Sequence, residues 1–255
     1  MRIIHIAGLS GSGKTTFIRS LIPELSKLGP VAAVKHIGHH TWSLEAGKDT
    51  TSYLHAGACQ SVGIDREKTV SVTNETDLGR ALQMLCDMGT RYAVVEGFKS
   101  KPFPKVVIGT LPEASGVVLK NPEISDVTAS LSSFMEYYTL GGMIREMQAE
   151  NAYASGGVFT GVCAAITGVR ETPGSGAEKY RIFLENVLNR AADEGEIFAG
   201  RGYFGPDLPG GPDEVIRIAV HAPSLHRGTA LVHTIAQQFS EELEKNGKKI
   251  AGEGI

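Results

Sequence analysis

The sequence predicts a doubly wound α/β domain with a mainly parallel sheet, followed by a smaller α+β domain. In the first 140 residues, short β-branched runs alternate with segments whose apolar residues have helical spacing. The tail instead carries two long strand-like runs, each followed by a helical segment. Because 255 residues suffice for two domains of ordinary size, we expect one domain at 1–145 and a second at 150–255.

The first domain begins with the apolar run RIIHIA, and a helical pattern follows it until Gly29-Pro30. Later runs such as YAVV have the continuous apolar character of strands that are buried on both faces. Strands are expected at 2–7, 31–35, 61–64, 69–72, 92–95, 106–108 and 116–119, and helices at 15–28, 50–58, 77–88 and 130–138.

The second domain follows an expected linking helix at 143–150. The segment 200–212 is rich in Gly and Pro and is therefore expected to be a loop. Strands are expected at 157–168 and 215–222, and helices at 178–194 and 225–245.

Composition narrows the class of protein. Hydrophobic residues make up 42% and charged residues 21% of the chain, which favours a packed core, and a net charge of −3 argues against nucleic-acid binding. The three cysteines form no CxxC pair, which favours a reducing compartment. The apolar run 3–9 is too short for a signal peptide, so we expect a cytoplasmic protein without a membrane segment.

One motif is specific. Residues 8–15, GLSGSGKT, fit the phosphate-binding pattern GxxxxGK[ST] between a strand and a helix, the context that a P-loop requires. Lys14 is expected to reach the β- and γ-phosphates of a purine nucleoside triphosphate, and the Thr15 hydroxyl to bind Mg²⁺. The alternative is a glycine-rich turn that fits by chance. The backbone of the loop is expected to bind phosphate through Gly11, Ser12, Gly13 and Thr16.

A metal-binding acid is expected on a neighbouring strand. Glu96 follows the buried run YAVV and lies at the carboxyl edge of the predicted sheet, where ligands bind in such folds. The alternative is a solvated glutamate at a strand end. The same edge is expected to carry His36, His39 and His40, as metal ligands, phosphate contacts or an ordinary polar loop. No guanine-binding NKxD motif is present, so the motifs alone leave the base open.

The order of four segments is more specific than the P-loop. GLSGSGKTT, VKHIGHH, GKDTTSYLHAGA and VVEGFKSKPFPKVV together resemble the molybdopterin-guanine dinucleotide biosynthesis protein B (MobB) family, over residues 1 to about 140. The resemblance implies a GTP-binding protein with weak GTPase activity that assists the guanylyltransferase attaching GMP to molybdopterin. The family has an acid shortly before GKD, whereas this chain has Glu45 in a shifted register. The resemblance maps Gly11, Gly13, Lys14, Thr15 and Thr16 onto the phosphate loop, Lys35, His36 and His39 onto a KHxxH segment, and Glu96, Gly97 and Lys99 onto an EGFK segment.

The tail resembles the large catalytic subunit of molybdopterin synthase (MoaE) over about residues 155–245, in GVFTGVCAAITGVRE and VIRIAVHAPSLHRGTALVHTIAQQF. This implies sulfur transfer from the thiocarboxylated end of a small ubiquitin-like carrier subunit to a molybdopterin precursor, with anion binding by Arg170, His226 and Arg227. Lys245 and either Lys249 or Lys248 would stand for the catalytic lysines of that family, although Lys245 is one place out of register and the family's tryptophan is absent. The alternative for these lysines is a solvated charge cluster near a helix end.

The leading hypothesis is a bifunctional molybdenum-cofactor biosynthesis protein, and both resemblances imply a homodimer. A second hypothesis is a non-catalytic adapter that binds nucleotide and pterin for the guanylyltransferase. A third is a small-molecule kinase, against which no arginine-rich lid segment is present: the arginines at 19, 66, 80 and 91 are scattered.

Overall fold

The computed structural model describes residues 1–38, 49–112, 114–150, 156–168, 177–211 and 213–251. Within these ranges the chain forms one six-stranded sheet, one four-stranded sheet and one hairpin. The strands are β1 (Arg2–Ala7), β2 (Val31–Lys35), β3 (Gln60–Ile64), β4 (Thr69–Thr73), β5 (Tyr92–Glu96), β6 (Lys105–Val107), β7 (Val117–Lys120), β8 (Met135–Glu136), β9 (Val158–Gly168), β10 (Ala199–Pro206), β11 (Glu214–Ala222) and β12 (Lys248–Ile250). The helices are α1 (Lys14–Ser26), α2 (Asp49–His55), α3 (Leu78–Asp87), α4 (Ile124–Ala129), α5 (Leu140–Glu150), α6 (Ala177–Asp193) and α7 (Leu225–Glu244).

The N-terminal sheet is mainly parallel, as predicted. Its five parallel strands run in the order β2-β5-β1-β6-β7, and β8 pairs antiparallel with the start of β1. The central strands β1 and β5 are buried along nearly their whole length, which explains their continuous apolar sequence. This arrangement brings the carboxyl ends of β1, β2 and β5 to one edge, next to the start of α1.

Different layers cover the two faces of this sheet. One face packs against α1 and α4, and Ile18, Leu21 and Leu25 are the buried stripe of α1, which continues past Pro23 to Ser26. The other face packs against α3 and α5 and against residues of β10 and β11. The N-terminal sheet is thus an α/β sheet with helices on both faces.

The prediction of a helix at 130–138 is wrong. Residues Leu131–Ser133 form one 3₁₀ turn, and the chain then extends into β8. Phe134 is buried in the core on one face of the sheet and Tyr137 in the core on the other. Because Phe134 and Tyr137 are buried on opposite faces of the sheet, the chain between them is extended and not helical.

The C-terminal sheet is antiparallel, in the order β10-β11-β9-β12. The helices α6 and α7 share a buried aromatic and aliphatic cluster with it, centred on Tyr180, Phe204 and Phe239. No described helix is long and apolar enough to cross a membrane.

The prediction of a loop at 200–212 is also wrong for its first half, where β10 pairs with β11 along its whole length. Its glycines have a packing role. A Cβ atom on Gly200 would lie 2.6 Å from a methyl of Leu188, and one on Gly202 would lie 2.7 Å from Cβ of Leu184. Glycine here lets α6 approach the strand closely, a use of glycine that sequence patterns do not distinguish from a turn.

The two sheets are joined through a common core. Ile3, Val95 and Phe103 of the N-terminal part are buried in the same cluster as Tyr203 and Val215 of the C-terminal part. At its border the buried guanidinium of Arg217 donates to the carbonyl oxygen of Tyr138 at 3.0 Å and forms an ion pair with Asp207. The C-terminal sheet therefore lies directly against one face of the parallel sheet.

Candidate functional site

The loop between β1 and α1 is shaped to leave backbone N–H groups free. Gly11 and Gly13 have φ angles of 74° and 90°, and Gly13 is the N-cap of α1. Among the described residues no side chain caps this helix, and its first turn contains no acid. The first N–H groups of α1 and the positive end of its dipole are thus available to an anion.

The glycines of this loop have two different roles. A Cβ atom on Gly8 would lie 2.3 Å from the carbonyl oxygen of Ile108, so Gly8 permits close contact between two strand ends. By contrast, no described atom lies within 4 Å of the position that a Cβ atom would take on Gly11 or Gly13. That open space lies where a phosphate chain would contact the loop, beside Ser12 and Thr16.

Lys14, Thr15 and Glu96 converge at the mouth of the loop. Lys14 Nζ donates to the carbonyl oxygen of Leu9 at 2.6 Å, which folds the side chain back over the loop. Thr15 Oγ1 donates to the Glu96 carboxylate, at 3.3 Å from Oε1 and 3.5 Å from Oε2. A hydroxyl beside a carboxylate is a hard oxygen donor set, which fits Mg²⁺ when phosphate and water oxygens complete the shell.

The Glu96 carboxylate also faces a cation. Lys35 Nζ lies 3.6 Å from Oε1, and only 14% of the Glu96 side chain is exposed compared with 59% for Lys35. The backbone N–H of His36 donates to the carbonyl oxygen of Glu96 at 2.9 Å, which fixes the ends of β2 and β5 together. The sheet edge therefore holds one partly buried acid between a lysine and a hydroxyl.

An aromatic pair continues the site beyond Glu96. The rings of His36 and Phe98 lie 4.6 Å apart with an angle of 31° between their planes. Phe98 has a φ of 46°, a conformation rarely adopted by residues other than glycine and found preferentially at functional sites. The preceding Gly97 allows this packing, because a Cβ atom there would lie 2.7 Å from Cβ of His36.

Apart from Leu9 and Ile108, these residues line one cleft of about 1030 Å³, a size at the upper limit of small-molecule sites. Lys99, which the resemblance maps onto the EGFK segment, also lies in it. The complete lining is Gly8, Ser10, Gly11, Ser12, Gly13, Lys14, Thr15, Thr16, Lys35, His36, Ile37, Gly38, Glu96, Gly97, Phe98, Lys99 and Ser100.

Two buried polar residues beneath the cleft were missed by the sequence analysis. His5 Nε2 lies 2.5 Å from the carbonyl oxygen of Gly97, and Lys105 Nζ donates to the carbonyl oxygens of Lys101 at 3.1 Å and Lys99 at 3.5 Å. Burial lowers the pKa of His5; the hydrogen bond to Gly97 opposes this effect, and the charge of Lys105 adds to it. The only signal in the sequence was a basic residue inside each of two apolar strands, RIIHIA and KVV.

Three predicted residues lie outside the described residues: His39, His40 and Arg170. The described residues contain no group of three or more His, Cys, Asp or Glu side chains able to hold a metal ion. Of the histidine segment, the structure therefore describes only His36, which lies in the cleft beside Phe98.

The described residues that were predicted for the tail site lie at different places in the C-terminal part. His226 and Arg227 are exposed in the first turn of α7, where the Ser224 hydroxyl accepts from the Arg227 N–H. Lys245 is the C-cap of the same helix, and a helix of 20 residues is about 30 Å long. Lys245 forms an exposed ion pair with Glu242, and the exposed Lys249 lies on β12.

The neighbouring Lys248, which was an alternative to Lys249, has a structural position. Only 4% of its side chain is exposed, and Nζ lies 2.9 Å from Oε2 of Glu214. It also lies over the rings of Tyr180 and Phe204, at 5.8 Å and 5.4 Å from their centroids. Its charge is thus engaged inside the C-terminal core.

Comparisons with known proteins agree on the N-terminal part. Residues 3–129 match the family model of MobB, molybdopterin guanine dinucleotide synthesis protein B. A "probable molybdopterin-guanine dinucleotide biosynthesis adapter protein" of Bacillus subtilis is 35% identical over 111 residues, which is 42% of this chain and 64% of that protein. The molybdopterin-guanine dinucleotide biosynthesis adapter protein of Haemophilus influenzae is also 35% identical over 111 residues, covering 42% of this chain and 62% of the relative.

The matched segment thus spans less than two thirds of the length of these relatives. The crystal structure of Bacillus subtilis MobB aligns with 54% of this chain and 100% of its own, with 24% identity and a TM-score of 0.41. The sequence matches are sufficient for one conclusion: residues 3–129 of this chain are similar to the MobB family.

Proposed function

We propose that the N-terminal part binds GTP with Mg²⁺ and serves as an adapter in molybdopterin-guanine dinucleotide formation, for a guanylyltransferase. The observation that carries the proposal is the convergence of Lys14, Thr15 and Glu96 at the uncapped start of α1. The free N–H groups and Lys14 would bind the phosphates, while Thr15 and Glu96 would hold Mg²⁺, which neutralises phosphate charge. The preference for GTP over ATP rests on the family alone.

The geometry favours holding a nucleotide over rapid hydrolysis. Fast phosphoryl transfer needs a group that orients the attacking water and a cation that stabilises the transferred group. In the cleft, Glu96 is engaged by Thr15 and Lys35, and His36 packs against Phe98. We therefore expect slow GTP hydrolysis and a site whose main task is to present the nucleotide to a partner.

The adapter role is tested in a reconstituted reaction. Guanylyltransferase, molybdopterin and Mg·GTP are incubated with no added chain, with the wild-type chain or with Lys14→Ala, and the dinucleotide is quantified by mass spectrometry. We expect the wild-type chain alone to raise the rate of dinucleotide formation. Equal stimulation by Lys14→Ala would separate the nucleotide site from the adapter role, and no stimulation by wild type would reject that role.

Nucleotide choice is tested by competition. Bound fluorescent GTP is displaced with unlabelled Mg·GTP or Mg·ATP, and we expect GTP to displace it at a concentration at least about tenfold lower, which corresponds to about 1.4 kcal/mol. Equal displacement by ATP would contradict the GTP assignment while leaving the triphosphate site intact.

For the C-terminal part we propose a molybdopterin-synthase-like module that binds the pterin precursor and the sulfur carrier. Support comes from the GVRE and SLHR segments and from the exposure of His226 and Arg227, since basic groups suit a phosphorylated pterin. The distance along α7 from these residues to Lys245 favours binding over catalysis within one chain. Mass spectrometry of the pterin after incubation with precursor and thiocarboxylated carrier tests this, because a dithiolene product would establish synthase activity and its absence would leave the binding role.

A further inference from the structure

We infer that the loop 207–211, which links β10 to β11, positions the nucleotide cleft through two buried residues, Phe103 and His5. The inference rests on the proposed nucleotide-binding function and adds a positioning pathway from the C-terminal sheet to that site. Neither residue lines the cleft, so both act through the backbone of loop 97–101, of which residues 97–100 line it.

The start of loop 207–211 is fixed to the common core. The carbonyl oxygen of Asp207 accepts from Tyr137 Oη at 2.9 Å and from Arg217 Nη2 at 3.1 Å. Tyr137 is fully buried and Arg217 is 3% exposed. The loop therefore moves with the core and not as a free surface turn.

The tip of the loop presses on Phe103. A Cβ atom on Gly210 would lie 3.0 Å from Cε1 and 3.4 Å from Cζ of this ring, so the glycine backbone is already in contact with it. Phe103 is 1% exposed, and side chains in a close-packed core resist displacement. Displacement of the loop must therefore shift the ring.

Phe103 in turn contacts His5 edge-on, with ring centroids 5.9 Å apart and planes at 85°. His5 is fully buried, and its Nε2 lies 2.5 Å from the carbonyl oxygen of Gly97. Because that carbonyl is an acceptor, Nε2 carries the proton, and Nδ1 has no partner among the described residues. A shift of the Phe103 ring would thus change the one hydrogen bond of His5.

Gly97 lies between the two functional parts of the cleft, Glu96 and Phe98. Its carbonyl is held from beneath by His5, and Lys105 holds the carbonyls of Lys99 and Lys101 in the same way. Within the described residues Lys105 forms no ion pair, so its buried charge is satisfied by the loop backbone. This side of the cleft is therefore supported by His5 and Lys105, and His5 connects it through Phe103 to loop 207–211.

The test compares two glycines of the C-terminal part. Gly210 and Gly195 have φ angles of 74° and 75°, but only Gly210 faces Phe103, and no described atom lies within 4 Å of a Cβ position on Gly195. Substitution by Ala thus imposes the same backbone strain in both, and the Gly210→Ala side chain alone presses on the ring. Gly195→Ala is the matched control.

Two measurements are made on the full chain. Hydrogen–deuterium exchange without nucleotide should show faster exchange in peptides covering 97–101 for Gly210→Ala and not for Gly195→Ala. The affinity for Mg·GTP should fall on the order of fivefold for Gly210→Ala only, the lower end of usual coupling between sites. Equal exchange in the two variants would overturn the inference even if no nucleotide binds, whereas absent GTP binding by wild type would reject the proposed function alone.

A second pair of variants tests His5 itself. His5→Gln keeps an N–H donor near the position of Nε2, and His5→Leu removes it. We expect His5→Leu to speed exchange at 97–101 and weaken Mg·GTP binding by on the order of tenfold, because a buried carbonyl is left unpaired. Recovery by His5→Gln to within about twofold of wild type supports a positioning role, and equal losses in both variants would contradict it.

Discussion

The carboxyl edge of the parallel sheet and the two ends of α7 present opposite arrangements of predicted functional residues. At the sheet edge, Lys14 and Thr15 meet Glu96, which lies 81 residues after Thr15 in the sequence, in one cleft. Along α7, His226 and Lys245 come from one continuous segment and lie a helix length apart. Parallel strands collect residues at a common edge, whereas a long helix separates residues along its axis.

Among substitutions that test this difference between the two regions, we expect the largest loss, in GTP affinity, at Thr15. Replacement by Val keeps the shape of the side chain and removes the hydroxyl, so Mg²⁺-dependent GTP affinity should fall on the order of a hundredfold. Titration calorimetry with and without Mg²⁺ measures it, and Thr15→Ser serves as the control that keeps the hydroxyl. A loss that is equally large in EDTA would show that Thr15 does not act through the metal.

The second largest effect is expected in the C-terminal part, where a substitution should lower the unfolding free energy and leave GTP affinity unchanged. Gly202→Ala places a methyl group 2.7 Å from Cβ of Leu184, and such overpacking costs about 2 kcal/mol of unfolding free energy. Urea unfolding measures this loss, and GTP affinity in the folded variant should stay within about twofold of wild type. A stability unchanged from wild type would contradict the close packing of α6 on β10.

A pH-dependent effect is expected from His5. Burial lowers its pKa, so the folded state holds His5 neutral while the unfolded chain takes up a proton as pH falls below about 6.5. Wild-type stability should therefore fall with decreasing pH by at most about 1.4 kcal/mol per pH unit more than that of His5→Gln. Lys105, the charged group that contributes to this shift, is present in both proteins. Parallel pH profiles for the two proteins would refute the shift.

The smallest effect is expected at the exposed lysines of the tail. Lys245→Ala and Lys249→Ala should each change the unfolding free energy by less than about 0.5 kcal/mol, because surface ion pairs contribute little. Thermal unfolding measures this, and Lys248→Ala provides the contrast: it leaves Glu214 without its buried partner and should cost several times more. Similar losses of unfolding free energy at all three positions would contradict the finding that Lys248 is buried while Lys245 and Lys249 are exposed.

The sequence predicted the glycine-rich loop between β1 and α1 and the mainly parallel sheet because both depend on local patterns. The segment GLSGSGKT has specific residues at a fixed spacing. The continuous apolar run in YAVVE is typical of a strand that is buried on both faces. The strand at Gly200 and Gly202 escaped prediction because its glycines serve contacts with α6, which no local pattern reveals. His5 and Lys105 escaped for the same reason, since their partners are carbonyls of a loop remote from β1 and revealed only by the fold.

The central claim is that residues 8–16 hold a triphosphate, and calorimetric titration of the full chain with Mg·GTP tests it most directly. Wild-type protein should bind with one site per chain, and Lys14→Ala should bind at least about a hundredfold more weakly while unfolding at the same temperature, because the lysine is only partly buried and its ammonium donates to the carbonyl oxygen of Leu9 in the same loop. Undiminished affinity in a folded Lys14→Ala variant would contradict the account.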